Sequence, residues 1–350
     1  MWNIWARSRP MCWKALAALS TLAVLSSAPA SASPTSAALD ASVAAEVPNG
    51  FSGVVLVAKD HAVILEKAYG AIDGVAPKAD SSFWIASGGK QFVSVAILKC
   101  AQKGWLKLSD PISRFFPNAP ADKRAITIKQ LLSHTSGFGQ SYASEAANER
   151  TDAVRLMLAE PLIDKPGAKF HYSNSNYQLA AAIVEVASGE DYQDFAEREL
   201  FRPVGLSHTG FSGWPGADKV ALAREPLPER LKSRRWGEAG TFSSAGDLYR
   251  WYSALRAGRV LDKQSTNELF SPAAEIQEGN AALGWFTGKT DKGTARIFTR
   301  GNEDWGPNAL IYAYPARDTV IVVLTHAGDA NDDASWSRLI HAKLEAALNL

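Results

Sequence analysis

Phe83-Trp84-Ile85-Ala86-Ser87-Gly88-Gly89-Lys90 runs directly into Gln91-Phe92-Val93-Ser94-Val95-Ala96-Ile97-Leu98-Lys99-Cys100. An extended run gives way to a helix that is apolar on nearly every side, and a helix of that kind is surrounded by protein. The rest of the chain must therefore wrap a core around this segment. At 350 residues, with 46% hydrophobic and 21% charged side chains, there is material enough to do so, and disorder is excluded as a general description.

Outward from this helix, both chain ends read as strands. Phe51 to Gly70, FSGVVLVAKDHAVILEKAYG, carries two β-branched runs around the polar turn Lys59-Asp60-His61 and predicts a hairpin, although its alternation is imperfect. Ala295 to Arg300, Asn308 to Pro315 and Thr319 to Gly328 predict three more strands, and Ser335 to Leu350 a closing helix. Between the ends the period is mostly helical. A helix after Tyr177 carries Leu179, Ala182, Ile183 and Val186 on one side and stops at Gly189. The expected fold is α/β of the mixed α+β kind, an antiparallel sheet built from both chain ends, flanked by helices, with a mostly helical region inserted between them.

The N-terminal segment reads as an export signal. Arg7, Arg9 and Lys14 precede the apolar run Ala15 to Leu25, and Ala30-Ser31-Ala32 has the form of a signal-peptidase site. The apolar run is too short for a spanning helix, which needs about 20 residues. The reading divides the chain into a signal peptide (1–32), a leader (33–49) and one large domain (50–350), with a periplasmic or secreted product and no stable membrane span after cleavage. Removing the signal leaves 34 basic against 36 acidic side chains, a surface with no electrostatic case for nucleic acid. Cys100 is then the one remaining cysteine and reads as a small core residue. The six histidines show no metal-binding spacing, so neither metal nor cofactor is expected.

Chemistry concentrates on Ser87. If a helix begins there, Lys90 lies one turn on along the same face and its amine reaches the serine oxygen, giving a nucleophile beside a base. Free N–H groups at the helix start would steady an oxyanion. An S-x-x-K match alone is weak. Tyr172-Ser173-Asn174, just ahead of the next helix, strengthens it: a phenol near an ammonium can shuttle a proton, and a carboxamide can orient a substrate. The plain alternative is that Ser173 and Asn174 only cap that helix. His134 reads as a structural helix-end histidine, Gly240 as a tight turn, and Trp236 and Trp285 as core or rim, with Trp305 near enough to Gly301 to flank a pocket.

With these residues in place, the chain resembles the serine β-lactamase-related family, which includes class C β-lactamases, D-alanyl-D-alanine carboxypeptidases and esterases on the same β-lactamase/transpeptidase-like fold. The resemblance runs from about Phe51 to Leu350 through IASGGKQFVSVAILK, GWLKLSDPI (Gly104 to Ile112), TIKQLLSHTSGF (Thr127 to Phe138), PGAKFHYSNSNYQLAAAIVEVASG (Pro166 to Gly189), FRPVGLSHTGF (Phe201 to Phe211), AGTFSSAGDLYRW (Ala239 to Trp251) and LGWF (Leu283 to Phe286), in the family's order. It implies an acyl-enzyme on Ser87, Lys90 and Tyr172 as coupled acid and base, Asn174 in the substrate site, and an oxyanion hole from the N–H groups of Ser87 and Asn302. It also implies a small-molecule or peptide-like substrate: an ester, an amide, a peptidoglycan fragment or a β-lactam.

Two departures qualify that expectation. The family's K-T-G or H-x-G element corresponds here to Thr299-Arg300-Gly301, so the usual cation is replaced by Thr299, and Arg300 either binds a substrate carboxylate or points away. Gly89 stands where relatives carry Ser or Thr. Both changes favour an esterase or peptidase-like hydrolase over an efficient β-lactamase. They also motivate a rival reading, a penicillin-binding-like ligand-binding or sensor protein without turnover.

Overall fold

Why the Phe51–Gly70 hairpin alternates imperfectly is plain in the computed structural model, which describes residues 35–72, 74–142, 144, 147–211, 237–303, 306–326 and 335–350. Strands β1 (Gly53–Lys59) and β2 (Ala62–Tyr69) meet at Asp60 and His61, both with positive φ, as a tight two-residue hairpin requires. Strand β1 is covered on both faces: Val54, Leu56 and Ala58 enter one core, while Val55 and Val57 enter another. A strand buried on two sides has no reason to alternate.

The short β3 (Phe83–Trp84), β4 (Gly210–Phe211) and β5 (Thr241–Ser243) form a separate three-stranded sheet in the order β3-β5-β4. The main sheet adds β6 (Ala274–Ile276), β7 (Gly279–Ala281), β8 (Phe286–Lys289), β9 (Ala295–Asn302), β10 (Asn308–Tyr314) and β11 (Thr319–Thr325). Its eight strands run β2-β1-β11-β10-β9-β8-β7-β6, with every pairing antiparallel. The two chain ends thus meet at β1 and β11, as expected; β6 to β8 extend the sheet beyond what the sequence suggested.

Helix α1 (Ser36–Ala44) lies against α9 (Trp336–Ala347) and β2 on one face of the sheet, with Leu39 and Val43 fully buried. Residues 36–44, expected as part of a leader, therefore belong to the folded domain, because their apolar face completes that core. The expected signal peptide, Trp236 and Trp305 lie outside the described residues.

The other face carries the larger core, centred on α2 (Lys90–Gln102) and α5 (Asn174–Ser188). Phe92, Val93, Val95, Ala96, Ile97 and Cys100 of α2 are all fully buried, each larger apolar side chain stabilising by about 1.5–3 kcal/mol. Helix α5 starts at Asn174, three residues earlier than its apolar period indicates, and ends on Gly189 in the left-handed region (φ 75°). Helix α7 (Ala245–Arg256) is tied down by buried Asp247, whose carboxylate accepts His208 N–H and the Thr209 hydroxyl at 2.8 and 2.9 Å while its N–H donates to Ser244 Oγ at 3.2 Å. That contact accounts for the FRPVGLSHTGF and AGTFSSAGDLYRW stretches as structural partners. Gly240 has φ 93°, the tight turn expected of it. Among the described residues no helix is long and apolar enough to cross a membrane.

Candidate active site

Ser87 does not open the α-helix. It sits in a 3-10 turn, Ala86–Gly89, that feeds α2 at Lys90, and Gly88 N–H is spent on Ile85 O at 2.8 Å. Ala86 immediately before it has φ 45°, a left-handed conformation that costs a non-glycine residue roughly 1 kcal/mol. This bend aims the serine into a cleft of about 1140 Å³ whose lining includes Ser87, Tyr172, Asn174, Glu238, Asn302 and Glu303.

Two groups converge on the serine oxygen. Lys90 Nζ donates to Ser87 Oγ at 2.9 Å and Tyr172 OH donates to it at 2.8 Å. The lysine is buried, donates also to Glu238 O at 2.7 Å, and lies 3.9 Å from Glu238 Oε2. The rings of Tyr172 and Tyr177 flank its ammonium at 5.2 and 5.8 Å. Neither Glu238 nor its role was legible in the sequence, because the contact joins residues 148 positions apart.

Tyr172 is held from behind. His134 stacks on its ring with centroids 4.5 Å apart, and His134 Nδ1 accepts Ser173 N–H at 3.2 Å and contacts Asn176 Nδ2 at 3.3 Å. Ser136 Oγ donates to Asn176 Oδ1 at 2.6 Å and Tyr177 OH to Leu132 O at 2.6 Å. These bonds stitch the TIKQLLSHTSGF loop to the Tyr172–Tyr177 segment and give the sequence's structural histidine its work. Burial, with the nearby Lys90 charge as a smaller cause, pushes the His134 pKa down to about 3, so its ring is neutral at ordinary pH.

Strand β9 closes the other side. A Cβ placed on Gly301 would lie 2.1 Å from Ile85 O and 2.8 Å from Ser87 N. Only glycine lets this strand press against the nucleophile's own backbone, which brings Asn302 to the cleft edge. Thr299 is buried and lines a recess of about 20 Å³ together with Lys90, His134, Tyr172 and part of Arg300. Arg300 reaches the cleft rim but is held by Glu278 at 3.0 and 3.4 Å, and its guanidinium lies over the ring of Phe298, whose side chain fills the α1/α9 core. Of the two directions open to Arg300 in the sequence, the strand's alternation gives it the face opposite Thr299. Asn174 lines the cleft, its N–H given to Gln140 Oε1 at 3.0 Å.

Gly89 has a steric reason. A Cβ there would come within 2.8 Å of Thr241 Oγ1 and 3.3 Å of its Cβ. The space a serine or threonine would take before the lysine is filled from β5. Gly89→Ser should lower stability by about 1–3 kcal/mol, and adding Thr241→Ala should recover part of that loss, read as a non-additive pair of melting shifts. Equal shifts in both backgrounds would contradict the packing argument.

Among the described residues no cluster of potential ligands could hold a metal ion. The Beta-lactamase family model matches residues 41–345, and the chain belongs to that family of serine hydrolases. Protein flp of Staphylococcus aureus (strain N315) is 30% identical over 296 residues, covering 78% of this chain and 59% of flp. The chain spans about three fifths of the length of the curated relatives it matches. The fold matches a D-amino acid amidase from Ochrobactrum anthropi SV3 (TM-score 0.77, 17% identity, 89% of this chain and 97% of that one). It also matches a penicillin binding protein from Bacillus halodurans (TM-score 0.73, 22% identity, 88% and 99%).

Proposed function

We propose that this chain is an exported serine hydrolase that transfers an acyl group from an ester or amide to water through an acyl-enzyme on Ser87. The observation that carries the reading is the convergence of Lys90 Nζ and Tyr172 OH on one serine oxygen at the mouth of a large cleft.

In the proposed sequence Ser87 Oγ gives its proton to the Lys90–Tyr172 pair as its electron pair attacks the carbonyl carbon. The two groups share one oxygen, so the proton is assigned to the pair. The carbonyl oxygen, now anionic, is received by the N–H groups of Ser87 and Asn302. Collapse expels the leaving alkoxide or amine, which takes the proton from the pair. Water then repeats the attack on the acyl carbon, its proton passing to the same pair and returning to Ser87 Oγ as the acid leaves. Asn174 orients the substrate beside this centre.

Substrate preference follows from Thr299 standing where the resemblance places the family's cation. Thr299 occupies that buried position and Arg300 is engaged with Glu278, which leaves little to hold the carboxylate of a β-lactam or of a C-terminal D-alanine next to Ser87. In parallel assays a short-chain p-nitrophenyl ester should be turned over with at least tenfold higher kcat/KM than nitrocefin, and a D-Ala-D-Ala peptide should rank with nitrocefin. Nitrocefin ahead of the ester would overturn the ranking. A binding protein without turnover would acylate and never release.

Export is part of the proposal. Arg7, Arg9, Lys14, the apolar run to Leu25 and Ala30-Ser31-Ala32 support cleavage before Ser33 and a periplasmic or secreted product. The mass of the native protein should begin at Ser33; recovery of an intact N-terminus from the cytoplasm would contradict it.

A further inference from the structure

The segment that delivers Tyr172 to the cleft is a loop whose two ends are clasped by a pair of side chains, Asp164 and His171, that the mechanism above does not use. Leu162 bridges to Phe138, Ile163 N–H donates to Gly137 O at 2.9 Å, Gly167 N–H to Thr135 O at 2.7 Å and His171 N–H to His134 O at 2.8 Å. The loop is thus laid along residues 134–138, and Gly167 to Phe170 stand out from it as part of the cleft wall. Across the base of that excursion His171 Nε2 meets Asp164 Oδ2 at 3.2 Å, both side chains being partly buried.

Asp164 is anchored twice more. Its Oδ1 accepts Lys165 N–H at 2.8 Å, and a Cβ on Gly137 (φ 87°) would lie 2.2 Å from its backbone oxygen, an approach that glycine alone permits. The bond from His171 first, and then the Lys165 N–H, hold the Asp164 carboxyl below the usual carboxylate range, with the Lys169 charge a smaller cause. A carboxylate only accepts, so the hydrogen of this contact sits on His171 Nε2 whether the ring is neutral or charged.

Beyond His171 lies the reacting centre. The next two residues also rest on His134, Tyr172 by ring stacking at 4.5 Å and Ser173 through its N–H at 3.2 Å. Those contacts hold the segment from one side, and the Asp164 clasp ties the residue immediately before Tyr172 to a second point. The phenol is thereby kept with its hydroxyl 2.8 Å from Ser87 Oγ. Misplacement of a reacting group by about 1 Å can cost on the order of 10²-fold in rate.

We propose that the Asp164–His171 clasp positions Tyr172, holding the loop so that the hydroxyl stays on Ser87 Oγ, and that it acts on turnover through Tyr172. The inference rests on Tyr172 as a proton-handling partner of Ser87. Neither member of the clasp lines the cleft or the recess beside Lys90, so both are positioning residues, and breaking the clasp leaves the substrate's own contacts in place.

The test is a double-variant cycle on the full mature chain, read as kcat and KM on a p-nitrophenyl ester with a thermal melt of each preparation. His171→Phe keeps a ring and removes the donor; it should lower kcat about tenfold and leave KM within about twofold. His171→Gln places an amide N–H at similar reach and should restore most of the lost kcat. In the Tyr172→Phe background, His171→Phe should change kcat by less than about twofold, because the hydroxyl it positions is gone. An equal loss with and without that hydroxyl, a loss confined to KM, an unchanged kcat in His171→Phe, or Gln as damaging as Phe would each overturn the proposal. Asp164→Ala breaks the clasp from its other end and carries the same cycle if His171→Phe does not fold. Tyr172→Phe alone separates the two failures. If it keeps full turnover, the reading of Tyr172 falls and takes the proposal with it; if it loses turnover while the clasp variants do not, only the clasp falls.

Discussion

Ser87→Ala should lower kcat/KM for every substrate by at least about 10³-fold, a loss of roughly 4 kcal/mol in transition-state stabilisation, while the protein remains folded. The substitution removes the attacking atom and leaves the rest of the cleft in place. It also removes the shared acceptor of Lys90 and Tyr172, both of which keep other surroundings: Lys90 has Glu238, and the Tyr172 ring has His134. The melting temperature should therefore move by only a few degrees. Measured as initial rates on a p-nitrophenyl ester, retention of a tenth or more of the activity would mean that another group attacks the carbonyl.

The second large effect separates the two proton-handling residues. Lys90→Ala and Tyr172→Phe should each reduce turnover by about 10²–10⁴-fold, the range of general acid–base catalysis. The double variant should fall little further than the worse single one, since groups that act as a unit are not additive. Stability should distinguish them. Lys90→Ala removes the amine 3.9 Å from the buried Glu238 carboxyl group and the bond it gives to the Glu238 backbone oxygen, a loss of about 1–3 kcal/mol. Tyr172→Phe keeps the ring against His134 and removes only the hydroxyl that meets Ser87. Urea melts of the two variants should differ by that margin, and additive activity losses would contradict a coupled pair.

The sequence announced the parts of the fold whose burial is one-sided or complete over a long run. Helix α2 is apolar all round because it is enclosed all round, and β10 and β11 are continuous apolar strands because helices cover both faces of the sheet. Strands β6 to β8 were silent: AEI, GNA and FTGK are short, partly polar and held by backbone pairing that leaves no side-chain period. Helix α1 was hidden by its small residues, since only Leu39 and Val43 mark the buried side.

At the site, Ser87, Lys90, Tyr172 and Asn174 were legible because each belongs to a local pattern. Glu238 was not, because its meaning lies in a contact with Lys90 across 148 positions. Arg300 was ambiguous for a physical reason. Alternation says that Thr299 and Arg300 face opposite ways, and only the tertiary structure says which face holds the nucleophile. Gly89 read as a departure that argues against an efficient β-lactamase, and Thr241 occupies the space a larger side chain there would need.

The most direct test of the account is rapid-quench intact-mass analysis of the mature chain turning over an ester, followed by peptide mapping. The account predicts a mass gain equal to the acyl group on the peptide containing Ser87, formed and lost at rates that sustain the observed turnover. Steady turnover with the acyl group absent from Ser87, or present on another residue, would contradict it.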